Sequence, residues 1–359
     1  MNNHKDQCPF CQSSEYLYIL SQPDIRYFPE DSFQICRCKS CNILFTLPIQ
    51  SLEQLRKYYP KTYGPYREIN SVNEIIENTH FHYSKFLNKI LLLFEKVYSH
   101  SFYKEIHRNF PRNFFYKVLN TIIRLYYKFL LLLTSRYFWF LNPLRLFGHV
   151  IYPSAYPYKN QKIKYLHIGS GSANVFTKLH LLGFSIHNID INKALCAEYN
   201  KRGINSHCGT IKDVDFPNEY FDVIYLSHVL EHLLQPKEEL TKLKDWLKRS
   251  GVIICQFPLY GTVEWNSNNK FVFFDVPRHR IHIEKQNVEM IFNKCGLKIK
   301  KRLNPPYGSG LLFTELIYNY KKYNTKLEEK LTSKYLKKSL LLSFSKQAGN
   351  GWFYLIRKD

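Results

Sequence analysis

Residues 165–174 read Tyr-Leu-His-Ile-Gly-Ser-Gly-Ser-Ala-Asn, and the fold of the chain turns on them. The apolar run from Ile163 to Ile168 predicts a buried strand that stops at Gly169, with Gly171 two residues on. Val175, Phe176, Leu179 and Leu182 then recur at helical spacing. A strand, a glycine turn and a helix make the ligand-binding corner of an open α/β sheet. Glycine suits that turn because a Cβ would block close approach of a ligand to the backbone. Two glycines in such a turn are a weak signal alone, so the residues around them decide.

Downstream, Phe184 to Asp190 predicts a second strand, with Asp190 at its C-terminal end, 21 residues after Gly169. An acid there points across the crevice and can accept both ribose hydroxyls of an adenosine cofactor. Lys193 to Arg202 predicts a helix, and Gly203 to Thr210 a short third strand and turn. In this layout Thr210 and Ile211 lie over the adenine. Tyr220 to Leu226 predicts a buried fourth strand, followed at once by Ser227-His-Val-Leu-Glu-His232 at the carboxyl edge of the sheet. A helix over Lys237 to Arg249, stopped by Ser250-Gly251, leads into a fifth strand, Val252 to Phe257. A loop, Asp275-Val-Pro-Arg-His279, enters a helix over Lys285 to Cys295, and Trp352 to Arg357 predicts a closing strand.

Upstream, Cys8-Pro-Phe-Cys11 and Cys38-Lys-Ser-Cys41 are two CxxC units with 26 residues between them. Two such bends complete a tetrahedron of thiolates around zinc, and all four positions are closed, so the metal would hold structure. Tyr16 to Leu20 and Phe33 to Cys36 predict the strands of a zinc ribbon. Cys36 is a competing ligand, but the CxxC spacing pairs Cys38 with Cys41. Arg37 and Lys39 flank the second bend and would lower thiol pKa values there. A short helix over 48–59, capped by Ser51, follows.

These residues resemble the class I S-adenosylmethionine-dependent methyltransferases that carry a zinc ribbon in front. The resemblance covers 8–64, 163–304 and the final strand, 351–358. Its most specific parts are Phe221-Asp-Val-Ile followed by His228-Val-Leu-Glu-His232-Leu, and Asp275 to His279. It implies a Rossmann-like α/β fold whose seven-stranded sheet has the order 3-2-1-4-5-7-6, the last strand antiparallel. It places the family's glycine turn on Gly169 and Gly171, its ribose acid on Asp190 and its loop after strand four on Ser227 and His228. The family usually has an acid where this chain has His167, and a third glycine where it has Ala173. The loss at His167 removes an acceptor that orients the turn. A dehydrogenase would need a glycine where Asn174 stands.

Methyl transfer is an in-line displacement, and a hydroxyl acceptor benefits from a nearby base. His228, His232 and His279 are the candidates, with His282 near them. Arg278 beside His279 would bind an anionic group of the substrate.

The chain of 359 residues is 45% hydrophobic, enough for a full α/β domain and smaller parts. Lys and Arg number 51 against 29 Asp and Glu, a formal charge of +22 that suggests an anionic partner. Half of that excess lies between Lys85 and Lys162, where 13 Lys and Arg face two Glu. In Phe114 to Leu133 the residues Lys117, Thr121, Arg124 and Lys128 share one narrow helical stripe, and the remainder, Asn120 aside, is apolar or aromatic. Such a helix must bury a wide face, against its own neighbours or in an anionic membrane surface. Nucleic acid fits a stripe set among aliphatics less well. The polar start, Met1 to Cys8, lacks the apolar core of a signal peptide, and no uncharged apolar stretch reaches 18 residues. Nine cysteines in such a chain point to a reducing compartment, a cytoplasmic location with docking at the inner membrane face.

The expected organisation is a zinc ribbon and linker over 1–64, a basic aromatic helical region over 65–152, and a methyltransferase domain over 153–359. A basic helical insertion occupies about 311–344. The expected function is O-methylation of a sugar, a cell-surface polysaccharide precursor or a lipid-linked acceptor, with S-adenosylmethionine and structural zinc. The alternatives are a non-catalytic binding protein on a decayed methyltransferase fold, and an RNA methyltransferase.

Overall fold

The computed structural model describes residues 6–24, 26–60, 164–170, 185–260, 274–303 and 350–358. Gly171, Ala173, the helix expected after them, the helical region 65–152 and the insertion 311–344 lie outside the described residues.

The N-terminal unit is an antiparallel meander of β1 (Tyr16–Pro23), β2 (Ser32–Cys38) and β3 (Leu44–Leu47), followed by α1 (Leu52–Arg56). Ser51 caps α1 as expected: its side chain accepts from the Gln54 backbone N–H, and the Gln54 side chain accepts from the Ser51 N–H.

Seven strands build the second sheet: β4 (Lys164–Ile168), β5 (Ser185–Asp190), β6 (Asn205–Cys208), β7 (Phe221–Ser227), β8 (Leu247–Pro258), β10 (Leu297–Leu303) and β11 (Asn350–Arg357). Helices α2 (Lys193–Lys201), α3 (Pro236–Trp246) and α4 (Val288–Lys294) lie among them in sequence. The spatial order is β6-β5-β4-β7-β8-β11-β10, which is the expected 3-2-1-4-5-7-6. β4 runs parallel to β5 and β7, and β11 runs antiparallel between β8 and β10. Most of β4, β7 and β8 is buried, as their apolar runs require of strands covered on both faces. The chain order reverses between β4 and β7, so a crevice opens at their carboxyl ends.

One boundary differs from expectation. Helix α3 ends at Trp246, and the chain enters β8 at Leu247, five residues before Val252. Leu247 is fully buried opposite Phe221, so its packing draws the chain into the sheet at once. The Ser250-Gly251 pair therefore lies within the strand, where a Cβ on Gly251 would stand 2.7 Å from the Leu247 side chain.

The two sheets are not independent. A two-residue strand, β9 (Ile281–His282), leaves the second unit and pairs antiparallel with β3. One buried apolar cluster runs from Phe10, Ile43 and Phe45 to Leu226, Leu230 and Ile283. Arg37 reaches across with a forked pair to Glu284, at 2.6 and 3.1 Å. It is thus a pin between the units, not the partner of the thiols.

The strongest tie is Arg278, whose side chain is fully buried. All five of its N–H donors are used. They go to Asp24 at 2.8 and 2.9 Å, to Asp275 at 2.7 and 3.0 Å, and to the Tyr58 carbonyl at 2.9 Å. Burial opposes the charge, but the Asp24 and Asp275 carboxylates overcome it and push the guanidinium pKa further up. The expectation that Arg278 binds an anionic substrate is therefore corrected: its charge is spent on Asp24 and Asp275. Asp24→Ala should lower stability by about 3–5 kcal/mol, because it leaves two N–H donors of a buried guanidinium without an acceptor. The urea midpoint of the full chain measures this. Arg278→Lys should fail to restore the wild-type midpoint, since one ammonium cannot serve these acceptors.

Candidate active site

The crevice is built from the turn after β4 and the loop after β7. Gly169 has a left-handed φ of +62°, and its N–H donates to the Ile189 carbonyl at 2.8 Å. A Cβ there would lie 2.6 Å from Val229 Cγ2. The glycine is thus required by the loop after β7, which closes directly over the turn. This is a different reason from the ligand approach expected from sequence.

Asp190 ends β5 and is buried. Its Oδ1 accepts from the Asn192 N–H at 2.9 Å, and its Oδ2 from the Ser170 hydroxyl at 3.4 Å. Thr210 caps a short 3-10 turn, donating its hydroxyl to Asp213 Oδ2 at 2.7 Å. Ile211 is buried beneath that turn. Ser227 donates to the Gln256 side chain at 3.1 Å.

His167 stands in β4 two residues before Gly169, with its ring edge-on to Tyr225 at 4.9 Å. Burial pushes its pKa down to about 3, so the ring is neutral where the family carries an acid.

The three candidate histidines meet around Glu231. His228 has a φ of +55°, its side chain is 43% exposed, and its Nδ1 lies 3.3 Å from Glu231 Oε1. His279 Nε2 lies 3.8 Å from the same oxygen. The rings of His232 and His279 are 4.7 Å apart, and His232 Nδ1 contacts the Arg278 carbonyl at 2.9 Å. Burial lowers the pKa of both His232 and His279. His282 turns away, with Nε2 2.8 Å from the Thr46 hydroxyl of the ribbon.

Four partners had no signal in the sequence. Glu231 is 1% exposed, at the centre of the cluster. Tyr260 lies 3.4 Å from His279 Nδ1, and Tyr59 lies 3.4 Å from His232 Nδ1. The Thr46 hydroxyl donates to the His279 carbonyl at 2.7 Å.

In the ribbon, the four sulfurs of Cys8, Cys11, Cys38 and Cys41 lie within 4.8 Å of one another, with two pairs at 3.5 Å. A tetrahedral zinc site needs sulfurs roughly 3.8 Å apart. Both bends have the same build. The Gln12 and Asn42 N–H groups donate to the Cys8 and Cys38 carbonyls, and both residues are left-handed. Cys36 is buried outside the cluster. Burial, above all, raises the Cys11 pKa to about 11, and the Cys8 contact raises that of Cys41. Cys38 is lowered against its burial by hydrogen bonds from the Cys41 backbone, Cys11 and the Ser40 backbone.

Residues 136–301 match the family model described as a methyltransferase domain. That match spans just under half of the chain, and the sheet order agrees with it. The chain carries a class I S-adenosylmethionine-dependent methyltransferase domain. None of the curated proteins matches this methyltransferase. Among solved structures it is similar to the [4+2]-cyclase SpnF, at 11% identity and TM-score 0.39, over 56% of this chain and 76% of that one. It is similar to phosphoethanolamine N-methyltransferase 2 of Haemonchus contortus, at 15% identity and TM-score 0.40, over 56% and 50%. The geranyl diphosphate C-methyltransferase of Streptomyces coelicolor A3(2) matches at 11% identity and TM-score 0.39, over 54% and 72%. Likenesses this slight carry nothing about the acceptor. Among the described residues no helix is long and apolar enough to cross a membrane.

The buried histidines of the methyltransferase make its stability pH-dependent. Burial holds His167 and His282 at about 3 and His187 at about 4, below the 6.5 of an exposed imidazole. The unfolded chain then binds more protons below pH 6.5, and stability falls as pH drops from there toward 3. The slope is about 1.4 kcal/mol per pH unit for each histidine. Urea midpoints measured between pH 7.5 and 4.5 should fall accordingly, and Tyr or Phe at His187 should reduce the slope.

Proposed function

We propose that the protein is an O-methyltransferase acting on a sugar hydroxyl, in a cell-surface polysaccharide precursor or a lipid-linked acceptor. The observation that carries it is the exposed imidazole of His228, held 3.3 Å from a buried carboxylate at the carboxyl edge of the sheet. With Glu231 beside it and its ring exposed, His228 can take the proton of an acceptor hydroxyl as the general base. His279 approaches the same Glu231 oxygen at 3.8 Å, with the His232 ring packed against it.

S-adenosylmethionine supplies a methyl group on a sulfonium, an electrophile that needs only an aligned nucleophile. Bound there, it would supply the methyl and its leaving group, and His228 would take the proton released from the acceptor hydroxyl. Gly169, Gly171 and Ser227 would line the amino-acid end, Asp190 would accept the ribose hydroxyls, and Thr210 with Ile211 would cover the adenine. The left-handed Gly169 and the acid at the tip of β5 fit such a group. The neutral His167 is the misfit, so the cofactor is held without one family acceptor.

The Cys8, Cys11, Cys38 and Cys41 cluster takes structural zinc. The proposed parts remain a ribbon over 1–64, a helical region over 65–152 and a catalytic domain over 153–359. The basic aromatic stretch supports docking on an anionic membrane surface at the cytoplasmic face, which suits a lipid-linked acceptor.

Calorimetry of the zinc-loaded chain with S-adenosylmethionine tests the reading, and absence of binding at millimolar cofactor would overturn it. His167→Asp should bind the cofactor more tightly than wild type. With an acceptor identified by screening, His228→Ala should lose about 10²–10⁴ in kcat and keep its cofactor affinity. Cys38→Ser should lose one zinc per chain and unfold at lower temperature, read by metal analysis and thermal melting.

A further inference from the structure

We propose that Glu231, His232 and His279 form a second, open cation site, built for a divalent first-row metal and distinct from the four-cysteine cluster. One ligand atom from each of the three lies within 4.8 Å of the others. Two imidazoles and a carboxylate are a donor set that such metals take, with further positions left open for an outside ligand.

Glu231 supplies the independent observation. It is 1% exposed, and neither carboxylate oxygen has a hydrogen bond among the described residues. A carboxylate out of water without donors is costly unless a positive charge reaches it. Arg278 does not fill that role, because its five donors are used by Asp24, Asp275 and Tyr58. Arg26 faces Asp275, at 3.5 Å.

The histidines are set as ligands. His232 Nδ1 meets the Arg278 carbonyl at 2.9 Å, so that nitrogen carries the proton and Nε2 keeps its lone pair. In His279 the Tyr260 hydroxyl lies 3.4 Å from Nδ1, while Nε2 faces Glu231. An outer partner on one ring nitrogen is what orients a metal-binding imidazole. The carbonyls of both residues 278 and 279 are themselves engaged, by His232 and by Thr46 of the ribbon, so the loop carrying His279 is held in place.

The open side faces His228, the exposed member of the group, which shares Glu231 Oε1. Open positions there suit an acceptor that presents two adjacent oxygens, such as a vicinal diol or a hydroxy acid. This use rests on the proposed O-methylation; the binding of the cation does not.

The test is a titration of the full chain, with its ribbon zinc retained, by MnCl2 and separately by CoCl2. Mn2+ favours oxygen and imidazole donors over the four thiolates and so leaves the ribbon alone. One Mn2+ should bind per chain beyond the zinc. Co2+ should give absorption of nitrogen and oxygen ligation without thiolate charge transfer. Glu231→Gln should weaken Mn2+ at least tenfold, and His279→Gln should do the same where Glu231→Gln melts early. No second cation in the wild type at millimolar metal would overturn the site, as would unchanged affinity in both variants when folded. Cofactor calorimetry in metal-free buffer separates the readings. Cation binding without S-adenosylmethionine binding removes the methyl transfer and leaves the site, and the reverse removes the site alone.

Discussion

The buried guanidinium of Arg278 is the constraint around which the described structure is arranged. It joins Asp24 of the ribbon to Asp275 of the methyltransferase domain, and the carbonyl of the same residue accepts a hydrogen bond from His232 Nδ1. A charge at that depth is tolerable only with every donor paired, so the residues that pair it must hold their positions. The ribbon is therefore part of the wall of the site. Thr46 binds the backbone of His279, Tyr59 reaches His232, and β9 completes the ribbon's sheet. A metal bound by the four cysteines would therefore also brace one side of the histidine cluster.

The site has two halves with different character. On the β4 and β5 side stand Gly169, Asp190 and the Thr210 turn, the groups proposed to hold the adenosine, beside a neutral, buried His167. On the β7 and β8 side, three histidines crowd around one carboxylate that lacks hydrogen bonds among the described residues. The halves meet where Val229 packs on Gly169. A change in the loop after β7 is thus felt in the glycine turn, because no Cβ fits between them.

Much of this was legible without coordinates, because it is local. Strands β4, β7 and β8 show as continuous apolar runs, and a buried parallel strand needs nothing else. The Ser51 cap and the two CxxC bends are short-range geometry. Asp190 was found by its distance from Gly169, since one βαβ unit fixes that spacing. Helix α3 stops at Trp246, short of the Ser250-Gly251 turn signal, because the packing of Leu247 opposite Phe221 ends it.

The sequence by itself determined the sheet's elements, the thiolate set and the three histidines as candidates, since each depends on residues near one another in the chain. Tertiary structure alone decided that Glu231 is buried among those histidines and that Arg278 answers to Asp24, 254 residues away. It alone made Arg37 a partner of Glu284, 247 residues off. Charged groups advertise no partner in a linear chain, where each is solvated. Their meaning appears only when folding removes water and forces each to a particular neighbour.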